Sequence, residues 1–259
     1  MRTYLVTGAA SGIGLATADL LRQRGHKVIG ADLRGAEIEC NLADPAGRRA
    51  LAEQTAELSR GHLDAVIAVA GIAAGIPKTV AVNYFGMVAS LEGARPLLAA
   101  SPQPRAVGVS SNSSLQPFDP LLVELMLADK EEAALARAAE LEGDPTQDYK
   151  IYGSTKRAFS RWIRLNAARD EWAGQGIPLN AIAPGPTTTP LSNGYLSTPE
   201  GRERAFKASP MPLNGPVAQP MVHAYLLAWL ASEENTNLCG QTVFSDGGFD
   251  VLKRGDSTW

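Results

Sequence analysis

The order of its elements is the strongest constraint on this chain. The segment Leu63–Ala70, whose apolar stretch lies between Asp64 and Gly71, reads as a strand buried on both faces. Strands of a parallel sheet look like this because helices cover them above and below. Similar short runs alternate with helical patterns along the chain. Tyr4–Thr7 reads as a strand, and Ile13, Ala16, Leu20 and Leu21 then recur at helical spacing until Gly25, placed where a helix C-terminal glycine belongs. Lys27–Asp32 is a second strand and Glu37–Cys40 a short third. Pro45 opens a helix to about Leu58, since proline in the first turn sacrifices no hydrogen bond. A long helix from about Lys78 to Ala99 and a strand Ala106–Ser110 follow. Beyond them come a helix from about Tyr152 to Trp172, a strand Leu179–Ala183, a helix ending near Leu230 and a final strand Gln241–Ser245. This alternation predicts an α/β fold with a doubly wound parallel sheet of about seven strands. Right-handed crossovers then place active residues at the carboxyl ends of the strands. No linker divides residues 1–259, which read as one domain.

Two stretches break the rhythm. Residues 113–148 read as a helical insertion, with one helix over Pro120–Ala128 and a second after Asp129. Glu132, three residues on, completes a capping-box pattern, and Gly143 and Pro145 close the piece. Residues 184–215 are loop-rich, and 190–215 carry Leu191, Tyr195, Leu196, Phe206, Met211 and Leu213 among prolines. Such a composition suits an apolar lid that orders over substrate and excludes water.

Composition narrows the function. A net charge of −3 and a pI near 5.7 give no general attraction for nucleic acid. No apolar run approaches the length of a membrane span, and the chain passes from Met1-Arg2 straight into a strand, so a cytoplasmic protein without membrane contact is expected. Cys40 and Cys239 form no framework, and with His26, His62 and His223 they supply no zinc-ligand spacing. No metal is therefore expected. The cysteines read as small buried apolar residues and the histidines as surface or helix-end residues.

The stretch Thr7-Gly8-Ala9-Ala10-Ser11-Gly12-Ile13-Gly14 joins the first strand to the first helix. Its glycines allow a tight turn and let backbone N–H groups approach a pyrophosphate at the positive helix end. Asp32 ends the second strand about twenty residues after Gly14, the spacing of a ribose-binding acid. Its carboxylate accepts ribose hydroxyls and repels a 2′-phosphate, and Ser11 is neutral, which together favour NAD over NADP. Arg34 reads as a solvated loop charge. Further on, Tyr152 and Lys156 stand four residues apart, neighbours on one helix face. A phenol works as an acid/base near neutral pH when a cation within a few ångströms stabilises its anion.

These residues together resemble the short-chain dehydrogenase/reductase family. The resemblance runs nearly the whole chain and continues through Ala70-Gly71, Val82-Asn83-Tyr84-Phe85-Gly86, Ser110-Ser111, Asn180-Ala181-Ile182-Ala183-Pro184-Gly185 and Asp246-Gly247-Gly248. It implies a single-domain Rossmann fold with Tyr152 as acid/base, Lys156 on the nicotinamide ribose, Ser111 on the substrate oxygen and Asn83 supporting a water between Lys156 and solvent. It further implies that Gly8, Ala10, Ser11, Gly12, Ile13, Gly14, Asp32, Leu33, Ala70, Gly71, Pro184 and Gly185 bind the dinucleotide. Asn41 and Leu42 match the pair beside the adenine, and Thr187 and Thr189 the residues at the nicotinamide end. Val69 departs from the family's usual asparagine and loses a structural side-chain bond.

The insertion between Ser111 and Tyr152 is far longer than in most relatives and resembles the bacterial 3α-hydroxysteroid dehydrogenase/carbonyl reductase subgroup. It either walls the substrate cleft or caps the helices that relatives use for subunit contacts. In the second case a homodimer is favoured over a homotetramer. The implied activity is NAD-dependent oxidation or reduction of a bulky apolar secondary alcohol or ketone of 3-hydroxysteroid type. An aromatic or allylic alcohol dehydrogenase of the coniferyl alcohol type shares these features. A catalytically silent dinucleotide-binding redox sensor is the alternative from another class.

Overall fold

The seven strands among the described residues join one parallel sheet in the order β3-β2-β1-β4-β5-β6-β7. The elements run β1 (Thr3–Thr7), α1 (Gly12–Gln23), β2 (Lys27–Asp32), β3 (Ile38–Glu39), α2 (Pro45–Ser59), β4 (Ala65–Ala68), α3 (Pro77–Val80), a π-helical segment (Ala81–Gly86) and α4 (Met87–Leu98). They continue through β5 (Arg105–Val109), a 3-10 turn (Asn112–Leu115), α5 (Pro120–Leu127), α6 (Glu131–Leu141), α7 (Tyr149–Asn166), a second 3-10 turn (Ala173–Gln175) and β6 (Leu179–Pro184). The last are α8 (Asn193–Leu196), α9 (Pro199–Ala208), α10 (Pro220–Leu230), β7 (Thr242–Ser245) and α11 (Phe249–Arg254). The computed structural model describes residues 1–215 and 217–257, apart from the side chain of Tyr195. None of the described helices is long and apolar enough to cross a membrane.

The double burial expected of the central strands holds, with every residue of β4 and β5 buried. One apolar cluster under α2, α4 and α7 includes Leu51, Leu91 and Phe159; the opposite one, under α1 and α10, includes Leu21 and Leu227. A Cβ on Gly108 of β5 would lie 2.4 Å from Cζ of Phe159, so glycine lets α7 settle directly on the sheet. That close approach carries Tyr152 and Lys156 to the strand ends. The strand order reverses between β1 and β4, which opens a ligand crevice beyond their carboxyl ends.

Several boundaries differ from expectation. The long helix is interrupted by the π-helical turn, a form common at functional sites. Helix α7 begins a turn earlier than predicted and stops at Asn166. Trp172 instead folds back, edge-on to Trp162 with ring centroids 6.1 Å apart. Asp129 forms no capping box. It adopts φ +55° and ends α5, where Lys130 N–H bonds Leu125 C=O and Asp129 N–H bonds Met126 C=O, both at 3.0 Å. This pair is a Schellman closure, so Lys130 rather than Asp129 precedes α6, without a side-chain cap. The loop-rich stretch contains α8 and α9, and α11 was not expected at all.

Helices α5 and α6 of the insertion pack on α7, α3 and the π-helical segment. They bury Leu122, Val123, Met126, Ala134, Ala138 and Leu141. Burying each of the larger of these side chains contributes about 1.5–3 kcal/mol. Asp119 N–H donates to Ser154 Oγ of α7 at 2.9 Å, and Arg48 of α2 clamps both oxygens of Glu131 at 2.7 and 2.6 Å. The insertion therefore caps helices; only its ends, through Ser113, Gln116, Pro117 and Asp148, reach the cleft.

Candidate active site

The cradle is built by close backbone approach. Gly8 has φ +71°, and a Cβ there would lie 2.9 Å from the Ala70 nitrogen; one on Gly14 would lie 2.0 Å from the Gly8 oxygen. Side chains at either position would collide with backbone, so glycine at both lets the loop close tightly at the N-terminus of α1, whose first N–H groups have no intrahelical partner. Ser11 precedes α1 with an extended backbone, and its hydroxyl makes no cap bond.

Asp32 is braced for its role. Oδ2 accepts the Ala10 N–H at 3.0 Å and Oδ1 accepts the Leu33 N–H at 2.6 Å. Ala10 thus acts on the carboxylate and does not itself line the cavity. Cys40 forms the neighbouring wall; burial, then the charge of Asp32, push its thiol up, so it stays neutral. Arg34 is exposed. Asn41 spends its amide on its own turn, accepting the Ala43 N–H at 3.1 Å and donating to Asp44 Oδ2 at 2.5 Å. Thr7 supplies what Val69 cannot. Its buried hydroxyl oxygen accepts the N–H groups of Val69 and Ala70 at 3.0 and 3.1 Å, fixing the loop after β4.

The paired serines diverge at the end of β5. Ser110 Oγ donates to the Lys156 carbonyl at 3.0 Å and lies 2.8 Å from Ser160 Oγ, so it anchors α7. Both serines line the cavity, and Ser111 Oγ accepts the Ser113 N–H at 3.1 Å. On α7, Lys156 Nζ lies 5.7 Å from the Tyr152 ring centroid and donates to Val109 C=O at 2.9 Å. Lys156 is 3% exposed, and burial pushes its ammonium down to about 7. Asn83 is fully buried in the π-helical segment and does not line the cavity. Its amide grips Ile72 twice, donating to the carbonyl and accepting the N–H, both at 2.8 Å. It thereby fixes the wall formed by residues 71–75.

These groups meet in one cavity of about 740 Å³ at the carboxyl ends of the strands. Of the catalytic and dinucleotide-binding residues expected from the sequence, all but Ala10 and Asn83 line it. Thr189 closes over the cradle, its Cγ2 3.1 Å from where a Gly12 Cβ would stand. The lid differs in detail from expectation. Leu191 faces the cavity together with Ala205 and Ala208, whereas Leu196 and Met211 are buried elsewhere and Phe206 and Leu213 are exposed. The side chain of Tyr195 lies outside the described residues. Asn112 Nδ2 donates to Ser209 Oγ, and Gln116 Nε2 to Ala208 C=O at 3.0 Å, tying the lid to the segment after Ser111.

Sequence reasoning missed Tyr149, Gln116 and residues 72–75 of the wall. Tyr149 was legible as the residue one turn before Tyr152, had the helix start been placed correctly; the lid contacts carry no sequence signal. His223 is not at the surface: it lies in the first turn of α10 and is fully buried. Among the described residues no group of His, Cys, Asp or Glu could hold a metal ion.

A Rossmann sheet, a glycine-turned cradle at a helix N-terminus, a braced acid at the end of β2 and a Tyr–Lys pair over the same cavity define a dinucleotide-dependent oxidoreductase. A family model described as short chain dehydrogenase matches residues 2–123, and one described as enoyl-(acyl carrier protein) reductase matches residues 124–250. The chain is 34% identical over 262 residues to 3-alpha-hydroxysteroid dehydrogenase/carbonyl reductase of Comamonas testosteroni, covering 98% of each. It is 30% identical over 260 residues to coniferyl-alcohol dehydrogenase of a Pseudomonas species, covering 95% of this chain and 96% of that one. The crystal structure of a Pseudomonas 3-alpha-hydroxysteroid dehydrogenase complexed with NADH matches with a TM-score of 0.89 and 35% identity, covering 98% of this chain and 99% of that chain. The chain belongs to the short-chain dehydrogenase/reductase family, oxidoreductases that act on alcohols and ketones with a nicotinamide dinucleotide.

Proposed function

We propose that this protein is an NAD-dependent dehydrogenase/carbonyl reductase for a bulky apolar secondary alcohol or ketone, of 3-hydroxysteroid type. The observation that carries this reading is one shared cavity, with Asp32 at the β2 end and Ser111, Tyr152 and an apolar wall toward β5 and α7. Asp32 would take the adenosine ribose, the cradle of Gly8–Gly14 the pyrophosphate, Lys156 the second ribose and Thr187 the nicotinamide end. When bound, the dinucleotide supplies or accepts the hydride. The chain's own groups handle the proton. Ser111 Oγ orients the substrate oxygen, and the Tyr152 hydroxyl exchanges a proton with it. Lys156 is buried enough to sit between charge states near neutral pH, so a phenolate beside it would draw the ammonium back to full charge. Ile72, Ala74, Pro117, Pro190, Leu191 and Ala205 offer the apolar contact a large ring system needs.

A homodimer is part of the same reading, since α5 and α6 occupy faces of α7 and the π-helical segment. The test is an absorbance screen with NAD and NADP across steroid, terpenoid and aryl alcohols. Turnover of 3-hydroxysteroids with NAD supports the proposal; turnover confined to coniferyl-type alcohols transfers the chain to the other substrate class. Tyr152→Phe abolishes turnover if the proton route is right, and unchanged turnover in that variant overturns it.

A further inference from the structure

Helix α10 is apolar almost throughout, yet His223 lies within it at zero exposure, on the face that packs toward the sheet. A buried imidazole is tolerated where both ring nitrogens are bonded. Here Nε2 lies 2.9 Å from Thr187 Oγ1 and Nδ1 lies 3.1 Å from Ser245 Oγ at the end of β7. The network admits one consistent assignment of protons. Thr187 Oγ1 is also 2.8 Å from the Gly185 carbonyl, which can only accept, so the threonine proton goes there. The ring must then donate from Nε2 to Thr187 and accept from Ser245 at Nδ1. Burial pushes the histidine down to about 4, which keeps this neutral form in place near pH 7.

Thr187 is fixed from other sides as well. Its carbonyl accepts from Ser192 Oγ at 2.6 Å, and its neighbours pair with Ala218 through the bonds Ala218 N–H to Pro186 C=O at 2.9 Å and Thr188 N–H to Ala218 C=O at 3.0 Å. Thr187 lines the cavity, and its own N–H takes no partner among the described residues. An imidazole donor on its side chain therefore sets the attitude of a peptide group left free for a ligand. We propose that His223 is a positioning residue for the nicotinamide end of the dinucleotide, acting through Thr187 and stapling α10, β7 and the loop after β6 together. This rests on the dinucleotide reading above, and it concerns only one end of that ligand, because Asp32 and the cradle grip the other.

The separation gives a test independent of turnover. Calorimetric binding of NADH is compared with that of ADP-ribose, which keeps the adenosine, pyrophosphate and second ribose but lacks the nicotinamide. Loss of one buried hydrogen bond predicts that His223→Phe weakens NADH about tenfold and leaves ADP-ribose within about twofold. Thr187→Val does the same, and the double variant is no weaker than Thr187→Val alone, since both remove one interaction. His223→Gln, which keeps a donor of similar reach, recovers most of the loss. Equal weakening of both ligands by His223→Phe would reveal a packing role, and unchanged binding of both would likewise overturn the assignment. Asp32→Ala, run beside them, weakens both ligands. A wild-type chain that binds neither ligand removes the dinucleotide reading, and the inference with it.

Discussion

Replacing the buried lysine by methionine should stabilise the ligand-free protein at low pH while abolishing its activity. Lys156 is 3% exposed, and burial lowers its ammonium from 10.5 to about 7. The unfolded chain keeps the higher value, so between these pH values it binds more protons than the fold does, and stability rises with pH through that window. The stabilising difference is complete above about 10.5, falls as pH drops, and is gone below about 7. A displacement of this size corresponds to roughly 5 kcal/mol held against the folded cation at pH 6. Methionine removes that cost but orphans the Val109 carbonyl, now 2.9 Å from Nζ, at a penalty of about 1–3 kcal/mol. Lys156→Met is therefore expected to gain about 2–4 kcal/mol at pH 6, or roughly 4–16 °C in Tm for a chain of this length. The gain shrinks by about 1.4 kcal/mol per pH unit above 7 and vanishes near pH 9. Urea unfolding of both proteins at pH 6, 7.5 and 9 measures it. A variant less stable than wild type at pH 6, or a difference that does not move with pH, would refute the reasoning.

Three further outcomes follow from the geometry. Gly14→Ala places a Cβ 2.0 Å from the Gly8 oxygen, backbone against backbone, so calorimetry should show dinucleotide affinity reduced by more than about tenfold. Leu122→Ala empties a fully buried site on α5 that does not line the cavity; urea unfolding should register a loss of about 2–5 kcal/mol with kcat and KM unchanged. Asn83→Ala strips both bonds from Ile72 and should cost about 1–3 kcal/mol while raising KM for the alcohol, as residues 71–75 slacken.

Much of this protein is written locally. Burial on both faces marks a parallel strand in sequence because helices must cover it twice, and so β4, β5 and their neighbours were legible to within a residue or two. The cradle was legible because only glycine permits the approach of Gly14 to Gly8, and the Tyr152–Lys156 pair because residues four apart share a helix face whatever surrounds them. Asp129 shows the limit of local signals: one sequence pattern serves a helix start and a left-handed helix end, and packing of α5 on α7 selected the second. That Ser110 spends its hydroxyl on α7, how deep Lys156 lies and that Asn83 grips Ile72 depend on contacts between distant segments. The burial of His223 between Thr187 and Ser245 is the clearest case. Nothing near residue 223 requires a polar partner, and the two hydroxyls that receive its ring come from other strands' ends, brought there only when the sheet closes. The sequence by itself determined the strand–helix alternation and the chemistry at hand; the tertiary structure decided which polar atoms are spent on the scaffold and which are left for a ligand. Hydrogen-bond partners far apart in the chain are assigned only once folding has removed water from between them.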